Sequence, residues 1–216
     1  MTPTRLCGLI LAAGDSSRMG RDKALLPWPP QHLDSQELPE STLLSASIRA
    51  MQPIAQQIVV VAGKNIDTLA PNVSTGSAIL AHNPAPERGQ FSSLQIGLRR
   101  IVDLGYEAVA LTPVDAPPLH PATLTLLRAA FEAALAQGLW AIAPVHNGKR
   151  GHPLFAARKL IDALLHADIA SNARAVRQHH AEFIQYLDVD DPLVGAEMNT
   201  PQEYAALAAL INGQAR

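Results

Sequence analysis

Leu6-Cys7-Gly8-Leu9-Ile10-Leu11-Ala12-Ala13-Gly14-Asp15-Ser16-Ser17-Arg18-Met19-Gly20-Arg21-Asp22-Lys23 is the stretch on which the reading of this chain turns. Its first seven residues, 6–12, form an apolar run without polar alternation, the pattern of a strand covered on both faces. The run ends in small residues and turns through Gly14, and the loop then presents Ser16, Ser17, Arg18, Gly20 and Lys23. Small residues let the backbone approach a ligand closely, and consecutive loop N–H groups can form a concave anion site. Arg18 and Lys23 place fixed positive charge beside it. Five residues separate Gly14 from Gly20, and no Ser or Thr follows Lys23, so the stretch is not a P-loop. Nor does it contain G-x-G-x-x-G, which leaves a dinucleotide-binding fold without support. Taken singly, each feature also suits an ordinary glycine-rich connection with solvated charges.

Outward from this loop, short apolar runs alternate with helical patterns. Strands are expected at 6–12, 58–62, 77–81, 108–111, 141–144 and 183–187, and helices at 42–52, 92–103, 121–137, 157–166, 173–179 and 201–211. The helix at 121–137 opens on Pro121, tolerated in a first turn, and carries Leu124, Leu127, Phe131 and Ala134 at helical spacing. Such alternation predicts an α/β fold with a mostly parallel sheet between helices, whose ligands sit beyond the carboxyl ends of the strands. The proline-rich segment 27–40 reads as an irregular excursion, with Trp28 as a half-buried anchor.

With 216 residues, 48% of them hydrophobic, the chain 1–216 is expected to form one domain around a sizeable core. A net charge of −2 and a pI near 6.4 give no basic field, which argues against a nucleic acid or membrane partner. The apolar run at 6–13 is too short to cross a bilayer and lacks the basic leader of a signal peptide. Cys7 is the single cysteine, which suits a cytoplasmic protein and a packing role in the strand. The acidic run Asp188, Asp190 and Asp191 reads as an exposed turn, and His179-His180 as a solvated helix end.

Leu11-Ala12-Ala13-Gly14-x-Ser16-x-Arg18-Met19-Gly20-x-x-Lys23, followed by Ala24-Leu25-Leu26-Pro27, resembles the signature of the MobA-like nucleotidyltransferases, and within them the molybdenum cofactor cytidylyltransferase branch. Further segments resemble that family in the expected order across nearly the whole chain. Gly89-Gln90-Phe91-Ser92-Ser93-Leu94 with Gly97 is similar to its base and ribose segment. Pro113-Val114-Asp115-Ala116-Pro117 is similar to its metal-binding motif. Gly151-His152-Pro153 is similar to its acceptor-side motif, and Asn199-Thr200-Pro201-Gln202-Glu203 to its late metal-side motif. The resemblance implies a Rossmann-like three-layer α/β/α sandwich of the nucleotide-diphospho-sugar transferase type.

It also implies roles. Arg18, Lys23 and Asp115 are the expected catalytic residues. Leu11, Ala12, Ala13, Gly14, Ser16, Ser17, Arg18, Lys23, Ser92, Ser93 and Gly97 are the expected nucleotide contacts. His152 and Pro153 are expected at the acceptor, and Asp115 and Asn199 at Mg²⁺. The implied reaction moves CMP from CTP to the terminal phosphate of molybdopterin and releases pyrophosphate, with a molybdoenzyme as possible client. Ala13 and the Ser92-Ser93-Leu94 segment resemble the CTP branch. Asn199 departs from its usual aspartate and resembles the GTP branch. Thr200 or Asn199 could instead cap the helix that begins at Pro201. GTP, another phosphorylated acceptor, or a non-catalytic cofactor-binding module remain the alternatives.

Overall fold

The computed structural model describes residues 3–30 and 41–214. Its strands are β1 (Leu6–Ala12), β2 (Gln57–Ala62), β3 (Ile79–His82), β4 (Ala108–Pro113), β5 (Ala141–His146), β6 (Lys149–Arg150), β7 (Leu154–Ala157) and β8 (Ile184–Asp188). Its helices are α1 (Leu43–Met51), α2 (Ile66–Thr75), α3 (Gln90–Asp103), α4 (Pro121–Ala136), α5 (Arg158–His166), α6 (Ala173–His179) and α7 (Pro201–Gln214).

The strands form one sheet in the order β3-β2-β1-β4-β7-β5-β6, with β8 beside β5. β3, β2, β1 and β4 run parallel, as do β5 and β8, whereas β7 is antiparallel to both β4 and β5. Every residue of β1 is buried, as its apolar run predicts. Cys7, Leu9 and Leu11 face a core shared with α3 and α5, and Leu6 and Ile10 face cores shared with α1 and α4 on the other side. The expected three-layer, mostly parallel α/β architecture is therefore present. Burial pushes the Cys7 thiol up to about 12, which fits strand packing and not nucleophilic chemistry.

Several elements differ from the expectations. α2 has no counterpart among the predicted helices; it is built around buried Leu69 and Val73 despite the internal Pro71. β7 and the short β6 are likewise additional. Asp191 is fully buried and not exposed: its carboxylate accepts the N–H groups of His120 and Leu193, at 3.0 Å each, and pins two loops together. His179 is exposed as expected, while His180 packs on Trp140 with ring centroids 5.1 Å apart. Of the excursion expected at 27–40, residues 31–40 lie outside the described residues. Where it departs and returns, Trp28 N donates to the Ser41 carbonyl at 2.8 Å, and Tyr204 Oη donates to the Pro27 carbonyl at 2.8 Å.

Candidate active site

β1 and β4 are parallel neighbours, so the loops that follow them emerge side by side at one edge of the sheet. Val114 N donates to the Leu11 carbonyl at 2.9 Å and locks the two exits together. β7 runs the other way, so its beginning, not its end, lies at this edge. That reversal brings His152 beside the end of β4, with Nδ1 3.4 Å from the Leu111 carbonyl. Gly151 lets the chain close over the next loop, because a Cβ there would meet Gly195 N at 2.5 Å. Met198 N donates to the Asp115 carbonyl at 3.0 Å, which fixes the 197–199 segment against the loop after β4.

The loop after β1 is braced mostly by its own groups. Met19 and Gly20 donate to the Ser16 carbonyl, and Lys23 N donates to Ser16 Oγ at 3.1 Å. Asp22 accepts from Ala24 N at 2.9 Å and caps the short turn that carries Lys23. Asn65 anchors the assembly, its Nδ2 donating to the Ala12 carbonyl at 3.0 Å and to Asp22 Oδ2 at 2.7 Å. Sequence reading missed Asn65, since an asparagine after a strand reads as a turn residue.

The Lys23 side chain is nearly buried. Its Nζ donates to Asp115 Oδ2 at 2.9 Å and to Asn199 Oδ1 at 2.7 Å. Arg18 Nη2 also donates to Asn199 Oδ1, at 3.2 Å. The Asn199 amide is oriented from behind, because its Nδ2 donates to Glu197 Oε2 at 2.8 Å. Two hard oxygens, one charged and one neutral, thus converge where two cations meet them. That donor set is of the sparse kind Mg²⁺ accepts, since the ion keeps several waters. Among the described residues no group of three or more His, Cys, Asp or Glu side chains is arranged to hold a metal.

The helix cap at this point belongs to Thr200 and not to the Asn199 side chain. Glu203 N donates to Thr200 Oγ1 at 3.2 Å, and Glu203 Oε2 accepts Thr200 N at 3.0 Å, a reciprocal capping box. The N–H of Asn199 holds the Glu203 carboxyl below its ordinary pKa, with help from Thr200 and from the Arg18 charge.

Two hollows meet at Asp115. The smaller, about 240 Å³, is lined by Leu11, Ala13, Gly14, Ser16, Lys23, Ser93 and Asp115 among others. The larger, about 450 Å³, carries Leu11, Arg18, Asp115, His152 and Asn199 together with an apolar patch from Phe91, Leu94 and Leu164. Gly14 and Ser16 also border a third hollow on the far side of the loop, where Ser17 lies beside Arg21 and Lys64. Burial lowers the His152 imidazole to about 4, against a smaller raising effect of its contact with the Leu111 carbonyl.

Four of the expected contact residues are packed within the fold. Ala12 is buried in the core, with its carbonyl held by Asn65. Ser92 is buried at the start of α3, its Oγ donating to the Gly89 carbonyl at 2.8 Å and accepting from Asn83 Nδ2 at 3.0 Å. Asn83 also donates to Ser93 Oγ, at 2.8 Å, and Ser93 does reach the smaller hollow. Gly97 lies where α3 crosses the sheet, and a Cβ there would stand 2.5 Å from Leu9 Cδ1. Pro153 is buried behind His152.

Residues 8–183 match the model of the MobA-like NTP transferase domain. The chain is 27% identical over 199 residues to the molybdenum cofactor cytidylyltransferase of Escherichia coli strain K12, covering 88% of this chain and 94% of that protein. It is 26% identical over 207 residues to a probable molybdenum cofactor guanylyltransferase of Bacillus mycoides, covering 93% and 94%. The crystal structure of Rv0371c from Mycobacterium tuberculosis H37Rv superposes with a TM-score of 0.74 at 23% identity, over 96% of this chain and 99% of that one, and shares the fold. From the match over residues 8–183, the chain belongs to the MobA-like NTP transferase domain family.

Proposed function

We propose that this chain is a Mg²⁺-dependent cytidylyltransferase that moves CMP from CTP onto the terminal phosphate of molybdopterin and releases pyrophosphate. The observation that carries the reading is the meeting of Lys23, Asp115 and Asn199 at the junction of two hollows. In this reading the smaller hollow takes the triphosphate against the loop at 13–16, and the larger takes the acceptor. An acceptor phosphate oxygen attacks the α-phosphorus, the bond from that phosphorus to the bridging oxygen breaks, and pyrophosphate leaves with the electron pair. Two anions must meet, so neutralising charge and holding the partners in line supply most of the rate.

Lys23 and Arg18 would donate to the polyphosphate oxygens, which exchange for the Asp115 and Asn199 oxygens they now hold. Asp115 and Asn199 would hold Mg²⁺, which neutralises phosphate charge when bound. His152 stays neutral at physiological pH and would orient the acceptor by hydrogen bonding, without adding charge. CTP is favoured by Ala13, whose methyl borders the smaller hollow where a glycine would leave more room. GTP is the second reading. It is favoured by the Asn199 amide, and guanylyltransferases also stand among the relatives. Cytoplasmic residence fits the one free cysteine, and no helix among the described residues is long and apolar enough to cross a membrane.

The test is a matrix of CTP, GTP, ATP and UTP against molybdopterin and a sugar 1-phosphate, read as the mass of the product. A cytosine dinucleotide formed with CTP and molybdopterin supports the proposal. A guanine dinucleotide supports the second reading, and no product in any cell of the matrix overturns both.

A further inference from the structure

Besides Arg18, the larger hollow carries cationic side chains contributed by α6. Arg174 and Arg177 line it together with His152. Neither guanidinium forms an ion pair with a carboxylate among the described residues. Arg177 is half-buried, and its Nε donates to the Ala173 carbonyl at 3.3 Å, which steadies the head group and leaves its outer nitrogens uncommitted. Arg150 on β6 stands close by, with its guanidinium 3.9 Å above the Tyr186 ring. Arg174 and Arg177 thus line the cleft with Arg150 near them, and the two carboxylates in the same lining, Asp115 and Glu197, are not ion-paired with either of them. Holding the half-buried Arg177 beside two other guanidinium groups costs free energy that an anion in the cleft would recover. Burial lowers the Arg177 pKa from its ordinary value, and Arg150 and Arg174 push it the same way.

The surroundings indicate which anion. The smaller hollow, with the loop at 13–16 and Lys23, does not include either residue of the α6 pair. Asp115 and His152 line the larger hollow together with these arginines, and Phe91, Leu94 and Leu164 add an apolar surface to it. A molecule with one phosphate and an apolar or ring-shaped body matches that lining. Guanidinium groups suit the task because their planar forks bind phosphate oxygens in pairs.

We propose that Arg174 and Arg177 form an acceptor subsite that binds a phosphomonoester dianion on the side of Asp115 opposite the nucleotide triphosphate. This rests on the transferase reading only in taking the second substrate to be phosphorylated. The role assigned is binding and positioning: the pair offsets the repulsion between the acceptor dianion and the nucleotide phosphates, so that the acceptor oxygen can approach the α-phosphorus.

Isothermal titration of the full-length protein with phenyl phosphate, and separately with Mg-CTP, tests the subsite without any turnover. In Arg174→Gln/Arg177→Gln the phenyl phosphate Kd rises about tenfold or more while the Mg-CTP Kd stays within about twofold. Arg174→Lys/Arg177→Lys recovers part of the loss, because charge returns without the fork. Retained Mg-CTP binding shows that the double variant is folded; if it does not fold, the single variant at exposed Arg174 gives the same reading. Three results overturn the proposal: phenyl phosphate binding unchanged by the Gln variants, no phenyl phosphate binding to the wild type, or a matching loss for Mg-CTP that assigns the arginines to the triphosphate. If arginine-dependent phosphate binding is found but no dinucleotide is ever formed, the subsite stands and the transferase reading falls.

Discussion

Lys23 Nζ lies 2.9 Å from Asp115 Oδ2, which joins residues 92 positions apart in the segments that follow two adjacent parallel strands. The pair is mostly shielded from water, and both partners also reach the segment at 198–199: Nζ bonds the Asn199 amide, and the Asp115 carbonyl accepts from Met198 N. In the proposed reaction the lysine serves the polyphosphate and the aspartate serves the metal. Lys23→Ala and Asp115→Ala are therefore each expected to lower kcat by about 100-fold or more, the scale of a lost preorganised electrostatic contact. Because the two act as a unit, the double variant should lose far less than the product of the single losses. Steady-state kinetics on the three variants checks this, with circular dichroism to confirm folding.

Asn199 offers the metal a neutral oxygen where a carboxylate would add charge. Asn199→Asp is expected to lower the Mg²⁺ concentration needed for half-maximal occupancy, and Asn199→Ala to raise it. Mn²⁺ binding followed by electron paramagnetic resonance reads this directly without turnover. Glu197→Ala should act in the same direction as Asn199→Ala but more weakly, since Glu197 only orients the amide.

Gly97 separates a packing role from a ligand role. A methyl there would press on Leu9 Cδ1 at 2.5 Å and Val61 Cγ2 at 2.9 Å. Gly97→Ala is expected to cost about 1–3 kcal/mol of stability, the usual price of overpacking, with the KM for nucleotide unchanged. A raised KM at unchanged stability would return Gly97 to the binding site. Urea denaturation and initial-rate kinetics decide between them.

His152 gives a pH signature. Its folded pKa, about 4, lies below the ordinary histidine value of 6.5, so between these limits the unfolded chain binds a proton that the folded chain does not. The stability it contributes is full above the unfolded value and declines as pH falls through that window. His152→Gln should flatten the fall in urea midpoint across it. An equally steep fall in the variant would show that other groups carry the acid sensitivity.

Much of this was legible in the residues, for reasons that can be located. β1 and β4 were readable because both faces of each strand are covered, which makes their apolar runs unbroken. The loop at 13–23 was readable because its glycines and cations have few other uses together. By contrast, α2 was hidden by Pro71, Asn65 and Asp67, which speak locally for a turn, while burial of Leu69 and Val73 decides for a helix. β7 was hidden by its four-residue length and by the Gly151-His152-Pro153 turn before it. Its antiparallel course, a property of the whole sheet, is what delivers His152 to the site. Arg174 and Arg177 belong to a short polar helix with no local pattern that singles them out, and only the cleft beside α6 distinguishes them. The bonds from Asn65, Asn83 and Glu197 are long-range or depend on loop geometry, which no local spacing encodes.

The most direct measurement follows the phosphorus atoms. With molybdopterin and Mg²⁺ present, CTP labelled at the α-phosphate should pass its label into the dinucleotide product. CTP labelled at the γ-phosphate should deliver its label to pyrophosphate, and Asp115→Ala should suppress both. Label from the γ-position appearing on the acceptor, or no transfer from either position with any of the four nucleoside triphosphates, would contradict nucleotidyl transfer at this site.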